Sequence, residues 1–352
     1  MADVDALGSW AVADELLERA IDRGVIPGAA ARVGVRDTVV WQFVGGQALT
    51  HGGTPRPMTG DTWFDLASLT KVMVTLPSVL ILAQEGELTF SDTVRHFFAD
   101  WDARWDQVTL QHLLTHTGGL APFRPYHETL QGSDALLWAI SREPWEAAPG
   151  SVVTYSDLGY IILGAIVERV AGMSLAAFVK ERVFNPLGIR EADYNPSQDV
   201  RGRCAATEVI NGQALVGVVH DENARAMGGV AGHAGLFATL DAVSRYAMLW
   251  AGGSSPVLGE TVRRAATRCY TAPLRGQRGW GWALRYDSYD VGGDFWPATG
   301  AGHTGFTGTS LQFDPVTGIW AVLLTNRVHY GRATNINPLR RALHNVVMSV
   351  LG

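Results

Sequence analysis

The hydrophobic period changes twice along this chain, from two residues near the start, to helical spacing through the middle, and back to two in the last quarter. Few architectures accommodate that order. Residues 29–35 and 38–44, split by Arg36-Asp37 and preceded by Pro27-Gly28, read as a β-hairpin. Ahead of them, Trp10, Val12, Leu16, Leu17, Ala20 and Ile21 fall at helical spacing over residues 9–23, and Gly24 is a natural stop. Residues 86–235 read mainly as helices and loops, with a short capped helix starting near Thr109 and strongly apolar helices over 156–170 and 175–184; 241–250 is helical again. Then 281–286, with Trp280 and Trp282 alternating on it, 308–313 and 319–326 read as strands, and 339–350 as a closing amphipathic helix. Strands at both ends pair most simply in one antiparallel sheet. The expected fold class is therefore α+β: an antiparallel β-sheet flanked by N- and C-terminal helices, with a mostly helical lobe inserted. The expectation is one domain over 1–352, its sheet lobe taking about 1–60 and 270–352 and its helical lobe about 61–269, with a site in the cleft between them.

Within the helical lobe, Ser68 and Lys71 stand three residues apart, so on a helix a hydroxyl and an amine face each other one turn away. The chain has 28 basic side chains, but only Lys71 and Lys180 are lysines, and this is its sole Ser-x-x-Lys. Arginine cannot lose its proton, whereas a desolvated lysine can serve as a base or relay near neutrality. The helix expected over 68–85 is nearly all apolar beyond Lys71 and contains Pro77, which should kink it. A nucleophile at its start would feel the helix N-terminal field.

Two further triplets join this pair. Tyr155-Ser156-Asp157 follows Pro149-Gly150-Ser151 and opens the apolar helix, and His303-Thr304-Gly305 is read as opening a late strand. Together with Ser68-Leu69-Thr70-Lys71 they resemble the three signature motifs of the penicillin-recognising serine hydrolases. The order and spacing are similar to the branch of class C β-lactamases, D-alanyl-D-alanine carboxypeptidases and family VIII-type esterases. The stretches from Leu113 to Leu120 and from Gly228 to Gly235 are also similar to that family, and the resemblance covers roughly residues 20–350. It implies a β-lactamase/transpeptidase-like fold and a hydrolase working without a cofactor on a small-molecule ester, peptide or β-lactam. Carried over, Ser68 is the acylated nucleophile and Lys71 holds or relays its proton. Tyr155 shares the general-base role and protonates the leaving group, its phenol depressed by the neighbouring lysine. The backbone N–H groups of Ser68 and Phe306 form the oxyanion hole, and Asp157, His303, Thr304 and Gly305 face the substrate. A side chain at Gly305 would obstruct a substrate lying along the strand.

The chain departs from the pattern twice. Asp157 stands where β-lactam specialists usually carry asparagine; a carboxylate only accepts hydrogen bonds, and it could instead pair with Lys71. His303 replaces the common lysine and, only fractionally charged at pH 7, grips a carboxylate less firmly. Both tilt the expectation from dedicated β-lactamase toward esterase or peptidase. An alternative from a different class is a penicillin-binding-type sensor that acylates without turnover.

Other readings carry less weight. His112 and His116 sit beside a glycine turn and are expected to be structural. His220-Asp221 and His233 lack metal-ligand spacing, so no metal is expected. There is no Gly-x-Ser-x-Gly elbow. A net charge of −6 argues against nucleic acid or an anionic membrane as partner. The acid-bearing start is no secretory signal, so with Met1 as the true start the expected location is cytoplasmic. Cys204 and Cys269 are expected to be buried free thiols. Oligomeric state is open.

Overall fold

The computed structural model describes residues 9–352. Its main sheet begins with the expected hairpin, β1 (Gly28–Val35) and β2 (Thr38–Leu49), which runs on to a short β3 (Arg56–Pro57). It is completed by the late strands β9 (Ala283–Leu284), β10 (Ala301–Thr304), β11 (Ser310–Phe313) and β12 (Ile319–Thr325). The order is β3-β2-β1-β12-β11-β10-β9, antiparallel throughout, with Ala31 opposite both Leu323 and Phe43. The first and last parts of the chain thus meet at the centre of the sheet.

Alternation along β12 explains how the sheet separates two cores. Ile319, Ala321 and Leu323 pack with Ala29, Ala31 and Val33 under the terminal helices Ala11–Asp22 and Asn337–Leu351, through Leu17, Leu339 and Leu343. Trp320, Val322 and Leu324 face the larger core, built from the inserted helices. A second sheet, β4 (Trp63–Asp65), β8 (Leu236–Thr239) and β5 (Ala192–Tyr194), joins the nucleophile segment to the glycine-dense stretch; β6 (Val209–Ile210) and β7 (Gln213–Ala214) form a two-strand ribbon. Among the described residues no single helix is long and apolar enough to cross a membrane.

The expected helix over 68–85 is broken by one wide turn, Lys71–Thr75, before a regular helix over Leu76–Gln84. Leu76 N–H reaches back five residues to Lys71 O instead of four to Val72 O. Pro77, the next candidate donor for Val72 O, has no N–H, and the buried Tyr246 hydroxyl donates to that carbonyl instead. The proline therefore widens the turn that carries Lys71. Trp280 and Trp282 are buried, but in a loop turned by Gly281 at φ +75°, not on a strand as their alternation suggested. Cys204 is buried as expected, and burial pushes its thiol up to about 12. Cys269 is exposed, against expectation.

Candidate active site

Ser68 leaves β4 through a tight elbow. Ala67 takes φ +46°, a left-handed conformation that costs a non-glycine residue about 1 kcal/mol. Buried Asp65 holds the elbow in place: Oδ1 accepts the Ala67 N–H at 2.8 Å and Oδ2 the His220 N–H at 2.7 Å. Burial pushes this carboxyl above its ordinary value.

One turn on, Lys71 is fully buried. Its Nζ donates to Ser68 Oγ and to His233 O, both at 3.0 Å, and lies 2.6 Å from Asp157 Oδ1. Burial presses the ammonium toward neutrality, but the Asp157 carboxylate, and after it Tyr155, outweigh that, so Lys71 is held above its ordinary value. The base that desolvation alone would make of Lys71 is corrected: Lys71 rests charged, because Asp157 does pair with it. The pairing was legible as an option in the residue type; its strength depends on a three-dimensional distance.

Tyr155 lies in the loop just before the central helix Asp157–Ala171. Its ring centroid is 5.0 Å from Lys71 Nζ, and its hydroxyl faces Ser68 and Lys71. Burial pushes the phenol upward; Lys71 pulls it down, but Asp157 pushes back. The net shift is up, which corrects the expected depression and makes Tyr155 a phenol at neutral pH. His116 positions this loop. It has φ +58°, its Nδ1 accepts the Ser156 N–H at 3.1 Å, and its ring lies 4.5 Å from that of Tyr155. On the other side Tyr289 stacks on Tyr155 at 5.0 Å, with Arg278, ion-paired to Asp287 at 2.9 Å, over Tyr289. Neither Tyr289 nor Arg278 belongs to a periodic stretch, and sequence reasoning missed both.

His303-Thr304-Gly305 ends β10 instead of opening it. The turn beyond is fastened to the nucleophile elbow: Thr307 donates to Asp65 O at 2.6 Å and Thr309 to Leu66 O at 3.1 Å. A Cβ on Gly305 would collide with Leu66 O and Thr309 Oγ1. The glycine lets strand and elbow touch, a packing reason that stands beside the substrate clearance expected from the sequence. Among the described residues neither Ser68 N–H nor Phe306 N–H donates to a protein acceptor. The Phe306 ring is held by His220, 5.7 Å away, and by Arg327 at 4.7 Å.

His303 is buried, and its Nδ1 donates to Thr304 O at 2.9 Å. Burial, with Lys71 and Arg278 nearby, lowers the ring to about 3. It is therefore neutral and cannot grip a carboxylate as a cation. Positive charge comes instead from Arg327 and Arg340, both buried and lining the same cavity. Arg340 donates to Asn337 Oδ1, Gly305 O and Thr309 O, its Nε has no partner, and neither arginine pairs with a described carboxylate. In the sequence Arg340 passed as one polar position of an amphipathic helix. The cavity, about 530 Å³, also takes in Ser68, Tyr155, Asp157 and Thr304 and is rimmed by Phe123, Tyr289 and Phe306.

His112 completes a capping box with Thr109, His233 bonds Asp221 at 2.9 Å and His220 bonds Glu208 at 3.2 Å. No cluster suited to a metal ion occurs among the described residues. The buried histidines have a stability consequence. His116, His303 and His344 are all lowered by burial, His344 to about 4. The unfolded chain binds these protons near pH 6.5 and the folded one does not, so stability is complete above 6.5 and lost as pH falls. At pH 5.5 urea unfolding should show a loss of about 1 kcal/mol for each such ring; Asp65, raised by burial, opposes this. A stability level from pH 7.5 to 5.5 would contradict the expectation.

Comparison with known proteins gives a consistent picture. The sequence model of the Beta-lactamase family matches residues 13–345. A protein named "Putative D-alanyl-D-alanine carboxypeptidase" from Escherichia coli O157:H7 is 31% identical over 362 residues, covering 90% of this chain and 82% of the relative. Among solved structures, EstCE1, a hydrolase with promiscuous acyltransferase activity, superposes with a TM-score of 0.76 at 22% identity, covering 96% of this chain and all of that one. A class C β-lactamase from Rhodobacter sphaeroides gives 0.77 at 18%, covering 98% and 100%.

Proposed function

The chain belongs to the Beta-lactamase family, within the penicillin-recognising serine hydrolases, and from that premise we propose that it hydrolyses esters or amides through a covalent acyl-enzyme on Ser68. The observation that carries this is the meeting of Ser68 Oγ, Lys71 Nζ and the Tyr155 hydroxyl beside a cavity that Ser68 and Tyr155 line. Two uncommitted N–H groups belong to Ser68 and Phe306, which line the same cavity. Ser68 attacks the carbonyl, and those N–H groups stabilise the oxyanion. Tyr155 starts as a phenol and so acts first as the acid that protonates the leaving group. Lys71, held as a cation, stabilises the developing charge and passes protons. Arg327 and Arg340 favour a substrate with a carboxylate, and the aromatic rim favours an apolar acyl group; D-amino-acid peptides, β-lactams and carboxylated esters share that description.

The test is a panel of p-nitrophenyl esters, D-Ala-D-Ala peptides and nitrocefin. At least one class should give a burst of about one equivalent followed by steady release, and Ser68→Ala should remove both phases. A burst with no steady phase on every substrate would make the protein a sensor. Activity that survives in Ser68→Ala and is lost to a chelator would replace the serine mechanism with a metal one.

A further inference from the structure

Holding Lys71 as an ammonium leaves a question of proton accounting. Something must receive the hydrogen that Ser68 gives up when it attacks, and most of the groups around it are already occupied. Tyr155 is a phenol. His116 uses Nδ1 to accept the Ser156 N–H, and His303, with Nδ1 committed to Thr304 O, is too weak a base to compete. The remaining acceptor is Asp157. Its carboxylate is half-buried at the mouth of the central helix, lines the cavity, and sits 2.6 Å from Lys71 Nζ. Its Oδ1 is shut off from solvent and has no hydrogen-bond partner beyond that ion contact. Lys71 Nζ, 3.0 Å from Ser68 Oγ, bridges the two.

We propose that Asp157 is the residue on which the Ser68 proton comes to rest, delivered through Lys71, an inference that rests on the acyl-enzyme reading above. As the bond from Ser68 Oγ to the acyl carbon forms, the Oγ–H bond breaks and its proton joins Nζ. Nζ can take it because it has first given one of its own protons to Asp157 Oδ1, which frees the amine lone pair. The ammonium is conserved and the carboxylate becomes a carboxylic acid. When the tetrahedral adduct collapses, the proton returns from Asp157 to Nζ, and the leaving group takes one from Tyr155, which is reprotonated by Lys71. Asp157 acts through Lys71, so it is a positioning and proton-storing residue. It also accounts for how a lysine that stays charged relays protons at all.

The charged and titratable groups facing this pair are Ser68 on the elbow, Tyr155 on its own loop, Tyr160 on the central helix, His116 on the glycine turn, His303 on β10, Arg278 and Tyr289 on the preceding loops, and the Asp221–His233 pair behind Lys71. Only Asp157 is exchanged in the test. Acylation rates are measured by stopped flow with a p-nitrophenyl ester from about pH 6 to 10 in wild type, Asp157→Asn and Asp157→Glu. Wild type should be level through neutrality. Asp157→Asn should lose about 10²-fold at pH 7 and recover steeply on the alkaline side, where Lys71, freed of its anion, can itself deprotonate. Asp157→Glu should restore a level profile, and unchanged melting temperatures would exclude unfolding. A purely structural role would lower rates equally at every pH. That outcome, or an Asp157→Asn rate equal to wild type, would overturn the proposal. Absence of any acyl adduct in wild type would remove the acyl-enzyme reading and this inference with it.

Discussion

Lys71→Arg is expected to be nearly as damaging as Lys71→Ala, each lowering kcat/KM by about 10³-fold or more, equivalent to about 4 kcal/mol of transition-state stabilisation. The lysine is fully buried, and its single nitrogen serves Ser68 Oγ, His233 O and Asp157 at 3.0, 3.0 and 2.6 Å. A guanidinium keeps the charge but not the role: its proton is not surrendered, and its planar fork does not fit where a compact ammonium sits against the rings of Tyr155 and Tyr160. Alanine removes the relay and leaves Asp157 without its counter-charge. The two variants should therefore fail alike in rate for different reasons, and Lys71→Arg acylating within tenfold of wild type would refute the relay.

Gly305→Ala is the second large effect. The added methyl group meets Leu66 O and Thr309 Oγ1 far inside contact distance, and backbone atoms on both sides are fixed, with Gly305 N–H donating to Thr309 O at 2.7 Å. Relief has to come from separating the end of β10 from the elbow, which moves Phe306 N–H away from Ser68. Loss of one oxyanion donor costs about 10²–10³ in turnover, and overpacking adds about 1–3 kcal/mol of destabilisation. Steady-state kinetics and thermal unfolding read the two separately. A Gly305→Ala enzyme with kcat within threefold of wild type would show that Gly305 does not set this distance.

What could be read from the sequence divides along physical lines. Ser68 and Lys71 were legible because three-residue spacing fixes their relation locally. The sheet was legible because the runs at 29–35, 38–44 and 319–326 are short, largely apolar and bounded by turns. β4, β5 and β8 have three or four residues each, too few for a period to show, and their sheet escaped notice. Trp280 and Trp282 mimic a strand, but Gly281 turns the chain between them. The charge states were misjudged for a different reason. Lys71 was weighed against burial and Tyr155 against Lys71, whereas Asp157 reverses the outcome for both. Arg327, Arg340, His116 and the Thr307 and Thr309 tethers reach the site only through tertiary contact, and no spacing announces them.

The most direct test of the central claim is to trap the intermediate. Wild-type protein mixed with an activated ester or cephalosporin, quenched in acid and digested, should carry the acyl mass on the peptide that contains Ser68 and on no other, and Ser68→Ala should carry none. An acyl group mapped to a different side chain, or full hydrolysis by Ser68→Ala, would contradict the account.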